Sequence, residues 1–450
     1  MKYAMYSEYN TSGSNWLDTV PSHWNVKPLK LIVKMPITDG PHETPEFMPD
    51  GVPFASVEAV WNGKVHLSSV RGYISEEDHR RYGKKYHPKK GDIFIVKSGS
   101  TTGKIAIVDF DDDFNVWSPL AAVRCDDRQA HPEFVFYALS SSYFQRLVQV
   151  SWSFGTQPNI GMGVLGNLSA VLPPLAEQQT IARFLDAKTA QIDALVAQKR
   201  ELIDKLKEKR QALIARTVTR GLPPEAAIAA GLEPNPEMKD SGVDWLGIVP
   251  ARWKIKAIKW ATPVQRGASP RPIDDPSYFD DDGEYAWVRI SDVTAAGMYL
   301  DATEQRLSDL GSSLSVKMQP GSLFLSIAGT VGKPCIANIK CCIHDGFVYF
   351  PRWKGDSRFL FYVFVSGEPY KGLGKMGTQL NLNTDTVGSI VIGIPDAAEQ
   401  KLIADYLDKA TAELDSMTAV AEAAIDRLVE YRQAVITSAV TGKIDVRELA

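Results

Sequence analysis

Two kinds of apolar pattern alternate along this chain, and they appear in the same order twice. The first kind is a short run rich in Ile, Phe, Leu and Val that ends in Gly, Ser or Thr. GDIFIVKSGS (residues 91–100) and GSLFLSIAGT (residues 321–330) are of this kind and predict buried strands ending in turns. IAIVDF, YAWVRI and GFVYF predict further strands, while HPEFVFYALSSSYFQRLV and SRFLFYVFVSG predict helices. The second kind is long. Residues 176–219 contain neither Pro nor Gly and abound in Ala, Leu, Gln, Glu, Lys and Arg, all good helix formers. Pro173 and Pro174 stand before this stretch, with Gly221 and Pro223 after it, as natural boundaries. Leu185, Ile192, Leu206 and Leu213 fall on a seven-residue repeat interrupted by Lys199, and Leu195 and Leu202 are assigned its second row. A second stretch keeps the register through Leu407, Leu414, Ala421, Leu428 and Val435. Such heptads predict a coiled-coil seam, with two plain bundle helices as the simpler alternative. At about 1.5 Å per residue the first stretch spans roughly 65 Å, close to two turns of B-DNA at about 34–36 Å each.

The duplication is also written in letters. SGSNWLDTVPSHWNVKPLK returns as SGVDWLGIVPARWKIKAIK, matching Ser12, Gly13, Trp16, Leu17, Val20, Pro21, Trp24, Lys27 and Lys30 to Ser241, Gly242, Trp245, Leu246, Val249, Pro250, Trp253, Lys256 and Lys259. Residues 91–104 match 321–333 with one gap, and GTQPNI (155–160) matches GTQLNL (377–382). PPLAEQQTIARFLD from Pro173 matches PDAAEQKLIADYLD from Pro395 without a gap, on through RQALIARTVT and RQAVITSAVT. A repeat this long is a duplicated module, not a solenoid unit. Residues 31–90 and 260–320 share little that aligns, so a common frame carries divergent inserts. The expected fold is mixed α/β in two copies, separated by two long antiparallel coiled-coil spacer helices, with a pseudo-two-fold internal duplication. The expected divisions are a first domain at 1–172, a spacer helix at 173–220, a linker at 221–245, a second domain at 246–394, and a second spacer helix with a tail at 395–450.

Composition narrows the class without naming it. A chain of 450 residues exceeds what one core usually supports. There is no run of about 18 uncharged apolar residues and no apolar stretch after the first lysine, so neither a membrane span nor a signal peptide is expected. Four irregularly spaced cysteines suit a reducing cytoplasm. A net charge of −4 argues against a uniformly basic protein but leaves room for local patches. Residues 71–104 hold nine Lys/Arg against four Asp/Glu, with Tyr73, Tyr82 and Tyr86 interleaved, which suits a phosphate-contacting face or an ordinary charged surface. Arg266, Arg271 and Arg289 lie in a comparable part of the second copy.

Catalytic motifs fail on inspection. GSTTGK (99–104) has three residues between its glycines where a phosphate loop has four, and no Ser or Thr follows Lys104. A tight turn explains it better, with Lys104 and Lys333 free to approach phosphate. PDAAEQK (395–401) has a nuclease-like spelling, but its twin at Pro173 lacks the Asp and has Gln179 for Lys401. A helix start with Glu399 near the positive end of the dipole accounts for it. Cys335, Cys341, Cys342 and His344 lack metal-ligand spacing, and no metal is expected on the chain. No dinucleotide or methyl-donor fingerprint is visible.

The layout, with SGVDWLGIVPARW, GTQPNI, GTQLNL and PPLAEQQTIARFLD followed by RQALIARTVTRGL, resembles the specificity (S) subunits of type I restriction–modification systems over essentially the whole chain. One small departure is Pro395-Asp396-Ala397 where the first helix opens with Pro-Pro-Leu. The resemblance implies a non-catalytic subunit with two target-recognition domains that read a split duplex target. It also implies spacer helices that dock two methyltransferase subunits, with motor–nuclease subunits joining the complex. S-adenosylmethionine, ATP and Mg would sit on those partners. Candidate DNA-contacting residues, chosen by position, are Lys97, Lys104, Thr156, Gln157 and Asn159, then Arg271, Arg289, Lys333, Gln379 and Asn381. Gln and Asn can pair with adenine, and Arg and Lys with guanine or phosphate. The alternative role of the GTQ-N segments, which are shared, is to orient the following helix. A self-contained enzyme, a pure scaffold and an orphan subunit are the rival readings.

Overall fold

The computed structural model describes residues 3–14, 17–154, 157–371, 373 and 382–449. The chain divides into two compact units. The first comprises Met1–Lys199 with Ala423–Ala450, and the second comprises Arg200–Glu422.

In the first unit a six-stranded sheet runs in the order Thr38–Asp39, Leu120–Val123, Ile93–Val96, Ile105–Ile107, Lys64–Val65, Val60–Trp61. Its central strands, Ile93–Val96 and Leu120–Val123, are buried at every position, as their unbroken apolar runs demand. Pairing is antiparallel except between Ile105–Ile107 and Lys64–Val65, which run parallel. A smaller sheet sets Val52–Ala55 between Asn115–Val116 and Gly72–Ile74. Asn25–Pro28 pairs with Ser169–Leu172 just before the first long helix.

The second unit repeats this ladder. Its five-stranded sheet runs Gln265–Arg266, Phe347–Tyr349, Leu323–Ser326, Pro334–Ala337, Tyr299–Leu300, and again a single pair is parallel, here the last. Tyr285–Val288 lies between Cys341–Ile343 and Gln305–Leu307, with Val316–Met318 added at the edge. Lys254–Ala257 pairs with Val391–Ile394 before the second long helix. The stretches that share no alignable sequence therefore share strand order. Backbone hydrogen bonds set that order, and they require only that the apolar face point inward. Residues 221–245 carry a short helix, Pro224–Ala229, and a strand, Met238–Asp240, paired with Ile248–Pro250. That hairpin is the counterpart of Tyr9–Ser14 with Leu17–Pro21.

The long helices are Leu175–Arg220 and Ala397–Val440. In the first unit Ile181, Leu185, Val435, Ile436, Ala439 and Val440 share one core. In the second unit Ile214 and Val218 share a core with Ile403 and Leu407. Each unit thus takes the start of one helix and the end of the other, so the helices run antiparallel. One ion pair appears in both copies: Arg432 forks onto Asp193 at 2.9 and 3.2 Å, and Arg210 meets Asp415 at 2.8 Å. These are matching positions of the two ungapped helix repeats.

The seam register differs from the expected one in its second row. Leu185, Ile192 and Leu206 are buried and Leu213 is half-buried; so are Leu407, Leu414 and Val435, with Leu428 half-buried. Leu195 and Leu202, however, are 46% and 42% exposed, and Val196 and Ile203 are buried in their place. The buried row steps Leu185, Thr189, Ile192, Val196, then Ile203 and Leu206. That alternation of four and three keeps one stripe facing inward on a helix of 3.6 residues per turn, whereas Leu195 points to the other side.

Candidate nucleic-acid interface

The shared tryptophans explain how each module meets its helix. Trp253, 1% exposed, donates its indole N–H to Glu399 Oε1 at 3.1 Å, and Arg252 reaches the same carboxylate at 2.7 and 3.0 Å. In the first unit Trp24 donates to Glu177 at 3.2 Å, joined by the Tyr6 hydroxyl at 2.7 Å and His23 at 2.8 Å. Both carboxylates lie in the first turn of a long helix, where the dipole favours them. Next to them, Gln178 and Gln400 accept from the backbone N–H groups of His131 and Asp356, and donate to the carbonyls of Pro173 and Pro395. Deeper along the helices, Tyr137 donates to Asp186 and Tyr362 to Asp408, each at 2.7 Å. Burial, followed by these carboxylates, pushes both phenols well above their ordinary range. The letters common to both copies therefore build a fixed frame. The twins of the nuclease-like spelling are part of it.

The candidate contacts fall in three groups. In the first unit the segment at 157–160 lies against 97–99: Ser98 bridges Asn159, Gly99 N–H donates to Pro158 O, and Ile160 N–H donates to Lys97 O. This brings Lys97, Gln157 and Asn159 together, with Gln157 exposed. Lys97 itself is largely enclosed, and its ammonium lies 3.2 Å from the buried carboxylate of Asp39. Lys85 reaches that carboxylate at 2.6 Å. Burial alone would raise the Asp39 pKa, but the hydrogen bonds from Lys85 and Lys97 outweigh it and hold it below its ordinary value. Lys97 therefore serves the interior. Lys104 is exposed at the end of the GSTTGK turn, which Thr102 Oγ1 closes by donating to Gly99 O at 2.7 Å.

The basic stretch is smaller than its composition suggests. Arg71, Arg81, Lys85, Lys90 and Lys97 are engaged by acidic partners. Arg80, Lys84, Lys89 and Lys104 are exposed and form no ion pair among the described residues. Tyr82 and Tyr86 are buried, and Tyr86 donates to Asp92 at 2.6 Å, so neither offers a stacking face.

In the second unit Arg271 meets Asp345 at 3.0 Å while staying 72% exposed, and Arg289 meets Glu304 at 3.3 Å and the Gln305 side chain. Lys333 does not reach outward as expected. Its ammonium caps the short helix Ile290–Ala295, donating to Thr294 O at 2.8 Å and Ala296 O at 2.9 Å. A groove of about 560 Å³ opens beside Arg289, lined by Trp287, Gln305, His344, Phe279 and Asp274. Burial lowers the His344 pKa, which keeps a neutral imidazole in that groove. The sequence singles out neither Trp287 nor Gln305, since nothing in their spacing marks a groove, and it raises His344 only as a rejected metal ligand. Thr156, Gln379 and Asn381 lie outside the described residues. Cys335, Cys341 and Cys342 are buried strand residues.

Two duplicated α/β modules on two long antiparallel helices define a class of protein, and comparison with known proteins agrees. The family model for the type I restriction modification DNA specificity domain matches residues 21–205 and 263–424. The chain belongs to that family as a non-catalytic specificity subunit of a type I restriction–modification system. It is 22% identical over 98% of both chains to the putative type I restriction enzyme MjaX specificity subunit of Methanocaldococcus jannaschii. It is also 22% identical to the MjaVIII specificity subunit of the same organism, over 80% of each chain. Among solved structures, a chain from a study of complex assembly and conformational transition of the type I R-M system superposes with a TM-score of 0.72 at 17% identity, covering 94% of this chain and 99% of that one. The HsdS subunit from Thermoanaerobacter tengcongensis gives 0.53 at 18% identity, covering 94% and 98%. Among the described residues no helix is long and apolar enough to cross a membrane.

Proposed function

We propose that this subunit reads a split duplex target, one module per half-site, and that its long helices set the gap between the halves. The observation that carries this reading is a constant frame with divergent inserts. Strand order and the Trp–Glu anchors are the same in both units, while residues 31–90 and 260–320 differ. Side chains shared by both copies suit the frame or the phosphates, and unshared ones suit base edges. On this reading Lys104, Gln157 and Asn159, which the other copy repeats, contact phosphate or hold the frame, while Arg271, Arg289 and, in addition, Gln305 face bases. Two methyltransferase subunits dock on the helices. The exposed apolar side chains Leu195, Leu202, Met417, Val420 and Val429 support that assignment. Those partners hold S-adenosylmethionine, motor–nuclease subunits use ATP and Mg, and the complex works in the cytoplasm.

Methylation-site sequencing of DNA from cells that express the chain with its methyltransferase tests this. The expected result is a bipartite motif that disappears when the chain is omitted and changes in one half when residues 31–170 are exchanged. An active methyltransferase whose motif ignores the chain would overturn the proposal.

A further inference from the structure

We infer that the first unit holds a divalent transition-metal site made by His79, His87 and Asp113, taking zinc with water as the fourth ligand. One ligand atom from each of the three lies within 4.8 Å of the other two. His87 Nε2 and Asp113 Oδ1 are 3.1 Å apart. Ligands on a tetrahedral zinc, at bonds of about 2.0–2.1 Å, stand roughly 3.3 Å from one another, so this pair already has the required separation. The two imidazoles meet edge to face, with centroids 5.5 Å apart and planes at 64°.

The surroundings resemble those of a built site. Asn115, 1% exposed, places its side-chain oxygen on His79 Nδ1. An oxygen acceptor on one ring nitrogen fixes the imidazole's orientation and tautomer, and leaves the other nitrogen as a base, as in known metal centres. Each ligand also adjoins a rigid anchor. His79 lies on the helix Glu76–Gly83, whose first turn is capped by Ser75. His87 follows the buried Tyr86, and its carbonyl accepts from Arg124 at 2.8 Å. Asp113 precedes Phe114, which is 1% exposed. His87 and Asp113 keep 38% and 72% of their side-chain surface open, so an ion can enter.

An ion pair accounts for His87 and Asp113 alone, whereas a cation would engage all three side chains. The nearby Lys90 is opposed by Asp111 at 3.5 Å, which limits its repulsion of an incoming cation. Imidazole and carboxylate donors in this ratio suit zinc, cobalt or nickel better than calcium or magnesium.

The site belongs to the first unit alone, because His344 is the only histidine between residues 200 and 422. It would clamp the helix Glu76–Gly83 to the loop leading into Asn115–Val116, with both histidines inside the stretch 31–90 that does not align between copies. Its role is structural.

The test uses the full, tag-free chain, stripped with a chelator and titrated with Zn²⁺ by calorimetry and with Co²⁺ by visible absorption. One ion per chain, a tetrahedral cobalt spectrum and a raised melting temperature are expected. His87→Ala and Asp113→Ala should each weaken binding at least tenfold, while His66→Ala should not. Asp113 is exposed, so its variant stays folded and its loss of binding cannot be blamed on unfolding. Absence of stoichiometric binding, or binding unchanged in both variants, would overturn the inference.

Discussion

Replacing Glu399 with Ala should destabilise the second unit and leave the first unit almost untouched. Glu399 is 3% exposed and is the common acceptor for the Trp253 indole and the Arg252 guanidinium. Its loss strands the buried indole N–H, which costs about 1–3 kcal/mol. It also breaks an ion pair, but the 40% side-chain exposure of Arg252 lets water replace the carboxylate. That part therefore falls well short of the roughly 3–5 kcal/mol typical of a fully buried pair. The combined expectation is about 2–4 kcal/mol. Glu399→Gln keeps an acceptor for the indole and should lose only about 1–2 kcal/mol. Unfolding of a chain with two units need not be two-state, so native-state hydrogen exchange read by mass spectrometry is the suitable assay. Protection should fall in peptides from residues 200–422 and hold in those from 1–199. A Glu399→Ala protein within about 0.5 kcal/mol of wild type, or one equally weakened in both units, would refute the reasoning.

Three further outcomes follow from the same geometry. Ile203→Ala should cost about 2–4 kcal/mol, while Leu202→Ala next to it stays within about 0.5 kcal/mol; paired urea melts check this. All four cysteines should resist alkylation until the chain unfolds. They are buried, and burial pushes the thiols of Cys125, Cys335 and Cys341 up to about 12 and that of Cys342 to about 11. Labelling of native protein with iodoacetamide at neutral pH reads this directly. The Asp39 carboxyl is held below its unfolded value of 3.8 by Lys85 and Lys97. Its contribution is therefore complete above that value and lost as pH falls through the lower folded pKa, and Asp39→Asn should flatten the acid limb of the stability curve below about pH 4.

Much of the frame was legible because duplication repeats it. The two long helices, the strands at 93–96 and 323–326, and the helix starts at Glu177 and Glu399 all follow from residues present in both copies. The seam's second row was misplaced because Leu195 and Val196 are both apolar, and only the side-chain direction on a folded helix separates them. The strand order of the divergent inserts was not legible, since ladders form between segments far apart in sequence. Nor was the fate of single cations. Lys104 and Lys333 close matching turns, yet one is exposed and the other is bound by helix-end carbonyls. A charge letter carries no sign of the partner it will meet.

The chain's nesting has a consequence for how it is made. Along the sequence the first unit brackets the second, because Ala423–Ala450 belongs with Met1–Lys199 and supplies Val435, Ile436, Ala439, Val440 and Val446 to its core. The residues of the second unit end at Glu422. During translation at about 5–20 residues per second, the first module waits roughly 10–45 s for its closing helix. Meanwhile the later-made module can complete itself ahead of it. The last residue of the second unit is thus made before the segment that closes the first.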